Sequence, residues 1–347
     1  MKFDHDLICI GLGPAGMAVS VMGSSMGLDV CSIERNKLGG ECMNVGCIPS
    51  KSLLSMAKAR HTVSRFGEME LEEMPAPRVK EPFKRIAQHI KYINDRKTMA
   101  MFDKVELHLR EGDATFVDPY TVEVGGKRHT ARRIFIAVGT HPALPPIPGL
   151  DEVECLTNET LFSLEEIPES MVVLGGGAIG CEMAQAFSRL GCKTSVVHMD
   201  AHLLPSGNHK AGDLLQAVFE KEGIEVFNRR RIAKVEPAGD GADAGVKLHT
   251  DRGEVLEGKK LLVAAGRRYD FSSLNLGNAG VKLGPSGAIQ VDEYLRTTQK
   301  HIYAVGDCNG HYLLSHAAMH QGMIALMNSM TPYKQRFEKY VVPWTVF

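Results

Sequence analysis

Near its start the chain reads Leu7-Ile8-Cys9-Ile10-Gly11-Leu12-Gly13-Pro14-Ala15-Gly16. The apolar run predicts a buried β-strand, and the three glycines that follow predict a tight turn leading into a helix. Such a turn lets a pyrophosphate approach the backbone, and the helix N-terminus offers it N–H donors. A second strand, predicted over Asp29 to Ile33, ends at Glu34, which is placed to accept hydrogen bonds from an adenosine ribose. This pattern predicts a dinucleotide-binding βαβ unit.

The same pattern returns further along the chain. Each of its three turn glycines has a counterpart 164 residues later, and these counterparts are Gly175, Gly177 and Gly180. A predicted strand over 171–174 precedes them, and a predicted helix over 181–190 and a strand over 193–197 follow. An internal repeat of this kind is most simply explained by two nucleotide-binding units.

The second unit departs from the first at the position equivalent to Glu34, which holds His198. An acid there would repel a ribose 2′-phosphate, so its absence favours NADPH over NADH. His198, His202 or Lys210 could add attraction. The alternative, that His198 is a solvated residue at a strand end, stays open.

The domain organisation follows from these repeats. Two further apolar strands end in Gly139 and Gly266, and a third ends in Gly306-Asp307. A proline-rich stretch, 142–148, predicts a crossing between domains. We therefore expect an α/β fold of two Rossmann-like domains. The first is discontinuous, over 1–142 and 270–332, and the second is inserted over 143–269.

Composition excludes several function classes. The 347 residues suffice for about two domains, and the 40 basic and 41 acidic residues give no electrostatic footprint for nucleic acid or an anionic membrane. Residues 7–28 carry no charge, but Pro14 and five glycines argue against a spanning helix or signal peptide. Eight cysteines without a secretory leader predict a reducing, cytoplasmic location.

One pair of cysteines is a candidate for a redox-active disulfide. Cys42 and Cys47 are separated by four residues, and such a pair can close a small disulfide beside a helix start, where the thiolate is favoured. Zinc is a competing interpretation, but no second pair nearby would complete four ligands. The pair could also be two structural cysteines. We expect no metal site in this chain.

These residues carry a family resemblance. The segment Gly39-Gly40-Glu41-Cys42-Met43-Asn44-Val45-Gly46-Cys47-Ile48-Pro49-Ser50-Lys51 resembles the redox-active segment of the pyridine nucleotide-disulfide oxidoreductases, which include dihydrolipoamide dehydrogenase, mercuric reductase and glutathione reductase. The resemblance extends over both glycine turns to Asp307.

The resemblance implies the cofactors and the site residues. FAD would bind the first turn, and NAD(P)H the second. Cys47 would face the flavin as the charge-transfer thiolate, Cys42 would exchange with substrate, and Lys51 would pair with Glu182. The residues implied in cofactor binding are Gly11, Gly13, Gly16, Glu34, Gly40, Gly139 and Asp307 for FAD, and Gly175, Gly177, Gly180, His198 and Gly266 for NAD(P)H.

The departures from the family are at the end of the chain. Residues 337–347 resemble the opening strand of an interface domain that forms the family's dimer and supplies a His-Glu acid/base pair, so we expect 333–347 to be the start of a missing domain and the chain to be a truncation. None of the 14 histidines is a credible general acid. A homodimer is expected only where that domain is present.

Substrate choice stays divided. The resemblance favours electron transfer from NAD(P)H through flavin and the cysteine pair to a lipoamide-like dithiol or disulfide. A mercuric reductase-like, NADPH-dependent enzyme is the alternative, although no cysteine follows Cys308. A redox-sensing or nucleotide-binding module without turnover is the third hypothesis.

Overall fold

A computed structural model describes residues 2–239, 241 and 244–347. The α/β fold class predicted from the sequence is confirmed. The helices are α1 Pro14–Ser25, α2 Gly40–Asn44, α3 Cys47–Val63, α4 Pro82–Ile93, α5 Ala178–Arg189, α6 His209–Lys221 and α7 Ser315–Met330. The strands are β1 His5–Ile10, β2 Val30–Glu34, β3 Glu106–Leu109, β4 Thr115–Asp118, β5 Thr121–Val124, β6 Lys127–Ile136, β7 His141–Pro142, β8 Cys155–Leu156, β9 Ser170–Leu174, β10 Lys193–Val197, β11 Glu225–Phe227, β12 Ile232–Ala238, β13 Gly245–Thr250, β14 Val255–Gly258, β15 Lys260–Val263, β16 Arg267–Arg268 and β17 Ile302–Ala304.

The first sheet is built around β1. Strands β3, β2, β1 and β6 lie side by side and parallel, and β17 pairs in parallel with the second half of β6. Strands β5 and β4 continue from the first half of β6 as antiparallel strands. Ile8 and Ile10 pack into one apolar cluster while Leu7 and Cys9 pack into another. Since successive side chains of a strand point to opposite faces, both faces of this sheet are covered.

The second sheet repeats the same topology around β9. Its order is β11-β10-β9-β15-β8, and all of its pairs are parallel. In each sheet the strand before the glycine turn lies between the strand that follows the helix and a later strand. Strands β12, β13 and β14 form a separate antiparallel sheet.

The chain divides into two compact units. One contains residues 1–44, 90–141 and 268–345, and the other contains 45–89, 142–267 and 346–347. The second unit thus includes residues 45–89, which the sequence analysis assigned to the first domain. The functional domain boundaries given above stay a prediction.

The segment at the end of the chain differs from the sequence expectation. Residues 337–339 form a short 3-10 helix, and the described residues after 333 contain no strand. The Phe337 N–H donates to the Glu293 carbonyl, 3.2 Å away. A strand needs a hydrogen-bonded neighbour, and no described strand pairs with this segment.

None of the helices in the described part of the chain is both long enough and apolar enough to cross a bilayer.

Candidate functional site

The first glycine turn is closed by backbone packing that excludes side chains. Gly11 has a φ of +89°, a conformation that glycine adopts without strain. A methyl group at Gly16 would lie 1.8 Å from the Gly11 carbonyl oxygen, and one at Gly40 would lie 2.7 Å from the Gly13 Cα. The start of the cysteine motif therefore packs directly on the turn. The N–H of Gly39 also donates to the Leu12 carbonyl at 2.8 Å.

Glu34 lies at the carboxyl end of β2 and is 92% buried, with a relative exposure of 8%. Its two carboxylate oxygens accept hydrogen bonds from backbone N–H groups, Oε2 from Leu12 at 2.8 Å and Oε1 from Asn36 at 2.7 Å. The carboxylate is thus fixed beside the glycine turn, where the sequence analysis expects a ribose. A carboxylate oxygen has room for a further donor because each can accept two hydrogen bonds.

Gly139 and Asp307 lie at the same edge of the sheet as the turn. Ile10 pairs with Ile136, and Ile136 pairs with Ala304, so the three parallel strands end together. Gly139 follows β6 with a φ of +71°, and Asp307 follows β17. The loop at Asp307 is fixed by buried Gln321, whose Oε1 accepts from the Gly306 N–H and from Asn309 Nδ2. No motif in the sequence indicates a role for Gln321.

The second glycine turn has the same construction. Gly175 has a φ of +125°, and a methyl group at Gly180 would lie 1.9 Å from the Gly175 carbonyl oxygen. Gly177 precedes α5 with no atom within 4 Å of where its methyl group would be. Gly266 follows β15 with a φ of +126° and is equally open. Backbone N–H groups at the start of α5 are therefore accessible to an anion.

His198 is not the solvated residue that the sequence analysis left open, because it is 96% buried, with an exposure of 4%. A methyl group at Gly176 would lie 2.9 Å from its ring. Its Nε2 lies 2.6 Å from Asn228 Oδ1, and Asn228 Nδ2 donates to Gln216. Nε2 is therefore the protonated nitrogen. Nδ1 is buried with no hydrogen-bond partner among the described residues.

Five of the other six cysteines are buried, Cys155 is half-buried, and the two motif cysteines are both at least partly exposed. Cys42 lies in α2 and is half-buried, and Cys47 is the first residue of α3 and is exposed. Burial raises the pKa of the thiols of Cys9, Cys31, Cys181 and Cys308 to about 12 and that of Cys192 to about 11, and burial also raises the pKa of Cys155. Because thiol exchange requires a thiolate, these six are poor nucleophiles.

Lys51 and Glu182, which the family resemblance paired, are in contact. Lys51 Nζ lies 2.7 Å from Glu182 Oε2, with the lysine 36% and the glutamate 6% exposed. The pair joins α3 to α5 within the second unit. The backbone N–H of Phe347 donates to Glu182 Oε1 at 3.1 Å, and Lys51 Nζ lies 4.7 Å from the centre of the Phe347 ring. The structure thus supplies the contact, and the catalytic role of the pair stays a prediction.

The histidines on α7 show no acid/base pair. The His320 ring stacks on Tyr340 with ring centres 3.8 Å apart. Burial lowers the pKa of His320, so its imidazole is neutral near neutral pH. That neither His316 nor His320 is the general acid stays a prediction.

The residues at both turns fit the cofactors that the sequence predicts. The two glycine turns, residues 11–16 and 175–180, form two nucleotide cradles. In each cradle, glycines stand where a side chain would collide with the backbone, and the turn leads into the N-terminus of a helix. A pyrophosphate requires both features.

Comparison with protein families identifies the class. The family model described as pyridine nucleotide-disulphide oxidoreductase matches residues 5–322. The chain belongs to this family, as its motifs predicted. Members of the family use FAD and NAD(P)H.

The chain is similar to individual relatives of two kinds, dihydrolipoyl dehydrogenases and mercuric reductases. The chain is 36% identical to a dihydrolipoyl dehydrogenase of Thermus scotoductus, over 94% of this chain and 70% of that protein. It is 32% identical to a mercuric reductase of Bacillus cereus, over 100% of this chain. The chain spans 55–63% of the length of the mercuric reductases of B. cereus and Lysinibacillus sphaericus.

A solved structure shows the same fold. The HOCl-induced flavoprotein disulfide reductase RclA from Escherichia coli superimposes with a TM-score of 0.87 at 25% sequence identity. The match covers 98% of this chain and 75% of that one.

Proposed function

We propose that this chain is an FAD-dependent NAD(P)H:disulfide oxidoreductase that passes electrons through Cys42 and Cys47 to a small dithiol or disulfide, with a lipoamide-like substrate as the first choice. The observation that carries the proposal is the exposed Cys47 at the start of α3, in a chain with two glycine cradles. The 36% identity to a dihydrolipoyl dehydrogenase supports this substrate class.

FAD, when bound, supplies the two-electron link between NAD(P)H and the cysteine pair. The first glycine turn and Glu34 would hold its pyrophosphate and ribose. The second turn would hold NAD(P)H, and the unpartnered Nδ1 of His198 can accept from a ribose hydroxyl.

The cysteines perform a balanced exchange. Two electrons break the Cys42–Cys47 bond and leave two thiolates. The Cys42 thiolate attacks a substrate disulfide, forms a mixed disulfide and releases one substrate thiolate, which takes up a proton. The Cys47 thiolate then attacks Cys42, re-forms the pair and releases the second substrate thiolate. The helix N-terminus at Cys47 favours its thiolate.

The second candidate is an NADPH-dependent, mercuric reductase-like activity. It is favoured by the 32% identity to the B. cereus mercuric reductase and by the missing acid at His198. The higher identity of the chain to the dihydrolipoyl dehydrogenase, 36%, makes it the weaker candidate. The two candidates differ in the acceptor that sustains turnover. A non-turnover redox sensor would sustain it with neither.

The test is an anaerobic absorbance titration of the FAD-loaded chain with NADPH and, separately, with NADH. We expect long-wavelength absorbance from a thiolate beside the flavin in the wild type and in Cys155→Ser, but not in Cys47→Ser. Cys155 is half-buried and outside the motif, so it controls for loss of a cysteine as such. Identical titrations of wild type and Cys47→Ser, or failure to retain FAD, would overturn the proposal.

Steady-state assays of the same protein with lipoamide or Hg²⁺ as acceptor then distinguish the candidates. Continuous NAD(P)H consumption with only one acceptor identifies that activity, while a single turnover with each supports the sensor. We further propose a cytoplasmic location, where reducing conditions keep the six cysteines outside the motif as thiols.

A further inference from the structure

We propose that four strands of the first sheet form a binding site for a divalent transition-metal ion of borderline softness, of which Zn²⁺ is the typical case. The site lies at the amino ends of these strands, and its ligands are His5, Cys31, His129 and Glu106. The sequence analysis expected no metal, and nothing in the family comparison assigns one here.

The proposed ligands converge from strands β1, β2, β3 and β6. One ligand atom from each of His5, Cys31 and His129 lies within 4.8 Å of the other two. All three residues are buried. Tetrahedral zinc ligands lie about 3.4–3.8 Å apart, so closing these three side chains around an ion needs movements of about 1 Å.

Two of the ligand nitrogens already have this spacing. His5 Nε2 lies 3.4 Å from His129 Nδ1. Glu106 approaches both rings, with Oε2 3.9 Å from His5 Nε2 and Oε1 3.8 Å from His129 Nδ1. Two imidazoles, one thiolate and one carboxylate form a complete ligand set for zinc.

Neighbouring side chains hydrogen-bond to the proposed ligands and orient them, as in known metal sites. His5 Nδ1 lies 3.0 Å from Asp29 Oδ1, which leaves Nε2 with its lone pair toward the cluster. His108 Nε2 lies 3.0 Å from Glu106 Oε1, and its Nδ1 lies 2.8 Å from Glu111. Metal-binding histidines generally hold a carboxylate with their second nitrogen, as His5 holds Asp29.

The contact between His5 and His129 determines where the ring proton of His129 lies when no metal is bound. If His5 donates from Nδ1 to Asp29, then the His5–His129 contact requires His129 to donate from Nδ1. Its Nε2 then carries a lone pair, and this atom is buried without a hydrogen-bond partner among the described residues. His129 is itself 92% buried, with an exposure of 8%. A metal ion held by Nδ1 would take the lone pair of that nitrogen and leave the ring proton on Nε2, so the ion would replace the hydrogen bond between the two rings.

The location separates this site from the proposed cofactor sites. His5 is the first residue of β1 and Ile10 is the last, so about 17 Å separates the cluster from the glycine turn. Glu106 has 49% of its side chain exposed and provides the path by which an ion enters. With four protein ligands the site is closed, which is typical of a structural metal. Binding replaces the Cys31 thiol proton, which is released to solvent.

The test uses the FAD-loaded chain in a Cys42→Ser/Cys47→Ser background, because the motif cysteines could themselves bind metal. Zn²⁺ affinity is measured by competition with a chromophoric chelator. We expect one equivalent bound, with affinity reduced about 100-fold or more by Cys31→Ala or His129→Ala and about 10-fold by Asp29→Asn. Cys9→Ala is the matched control, since Cys9 is equally buried in the neighbouring strand, and it should leave the affinity unchanged.

A Co²⁺ titration of the same background protein keeps the test decisive if a variant fails to fold. We expect tetrahedral ligand-field bands together with a thiolate-to-cobalt charge-transfer band. The proposal is overturned if no metal binds, if the cobalt spectrum lacks the thiolate band, or if folded Cys31→Ala and His129→Ala bind as the parent does.

Discussion

The two glycine turns of this chain have nearly the same backbone and different side chains around it. In the first, the Gly11 N–H donates to the Ile33 carbonyl at 2.8 Å, and in the second, the Gly175 N–H donates to Val197 at 2.9 Å. Each pair of residues is related by the same 164-residue offset. The hydrogen bonds that shape a nucleotide cradle have thus been kept in both copies.

The side chains at equivalent positions differ according to what each helix contacts. Ala18 in α1 corresponds to Glu182 in α5. In the first unit a methyl group at Gly322 of α7 would lie 3.3 Å from Ala18 Cβ, so that position packs closely. In the second unit Glu182 contacts Lys51 of α3. The comparison shows that the backbone defines a shared binding geometry, while one helix position is used for packing and the other for charge.

The largest expected effects come from breaking each cradle separately. The methyl group of Gly16→Ala or Gly180→Ala would lie 1.8 Å or 1.9 Å from a carbonyl oxygen, so each change forces its turn to move at a cost of about 3 kcal/mol or more. We expect Gly16→Ala to lose FAD, and Gly180→Ala to retain FAD but to lose reduction by NAD(P)H. Flavin content and reduction rate measure the two effects.

Gly277→Ala is the control, because that glycine is exposed and its added methyl group meets no atom within 4 Å. It should change neither readout. Loss of FAD from Gly180→Ala with retention in Gly16→Ala would reverse the assignment of the two turns.

The local parts of this comparison were predictable from the sequence. A glycine turn between a strand and a helix is a pattern of about ten adjacent residues, so Gly11 and Gly175 are recognisable without a structure. The Lys51–Glu182 contact spans 131 residues and was expected only through the family resemblance. No spacing rule links these two positions.

Other features depend on sheet register and could not be read locally. His5, Cys31 and His129 are far apart in sequence and meet because β1 lies between β2 and β6. The burial of His198 was also missed, since it depends on Asn228 and on the ring packing at Gly176.

The second prediction concerns the ion pair between Lys51 and Glu182 of α5, which has no equivalent in α1, where Ala18 takes the place of the glutamate. Lys51→Met leaves the Glu182 carboxylate, 6% exposed, without its cation. Because the lysine is one-third exposed, we expect a loss of about 2 kcal/mol in unfolding free energy, less than for a fully buried pair. Denaturant unfolding measures it.

Two further variants determine whether charge is the cause. Lys58→Met, on the exposed side of the same helix, should have little effect. The double variant Lys51→Met/Glu182→Gln should recover part of the loss, because it removes the unpaired charge. No recovery would mean that Lys51 acts through packing alone.

The third prediction sharpens the contrast between Glu34 and His198. His198→Glu restores an acid at the second turn, and its charge repels a 2′-phosphate while accepting from a ribose hydroxyl. We expect the NADPH-to-NADH ratio of kcat/KM to fall about tenfold, or about 1.4 kcal/mol. His198→Gln adds no charge and should change the ratio much less. Equal shifts in both variants would assign the preference to shape instead of charge.

The smallest expected effect concerns stability in acid, and it depends on the last residues of α1 and α5, the helices that follow the two glycine turns. Ser25 ends α1 and its Oγ donates to the Val21 carbonyl, whereas the equivalent Arg189 ends α5 and lies 2.6 Å from Glu222. Burial raises the pKa of Glu222, but hydrogen bonds and charge from Arg189 outweigh it, so the pKa lies below the ordinary 4.5. A lowered folded pKa adds stability above the unfolded value, and that stability is lost as pH falls through the folded pKa.

Glu222→Gln should therefore reduce stability at neutral pH by about 1 kcal/mol and flatten its decline in acid, as measured by Tm from neutral pH to about pH 3. Glu220→Gln, an exposed change on α6, should leave the wild-type pH profile intact. Because Ser25 does not titrate, this acid-dependent step belongs to the second repeat alone. An unchanged profile in Glu222→Gln would mean that the Arg189 contact does not distinguish the two repeats energetically.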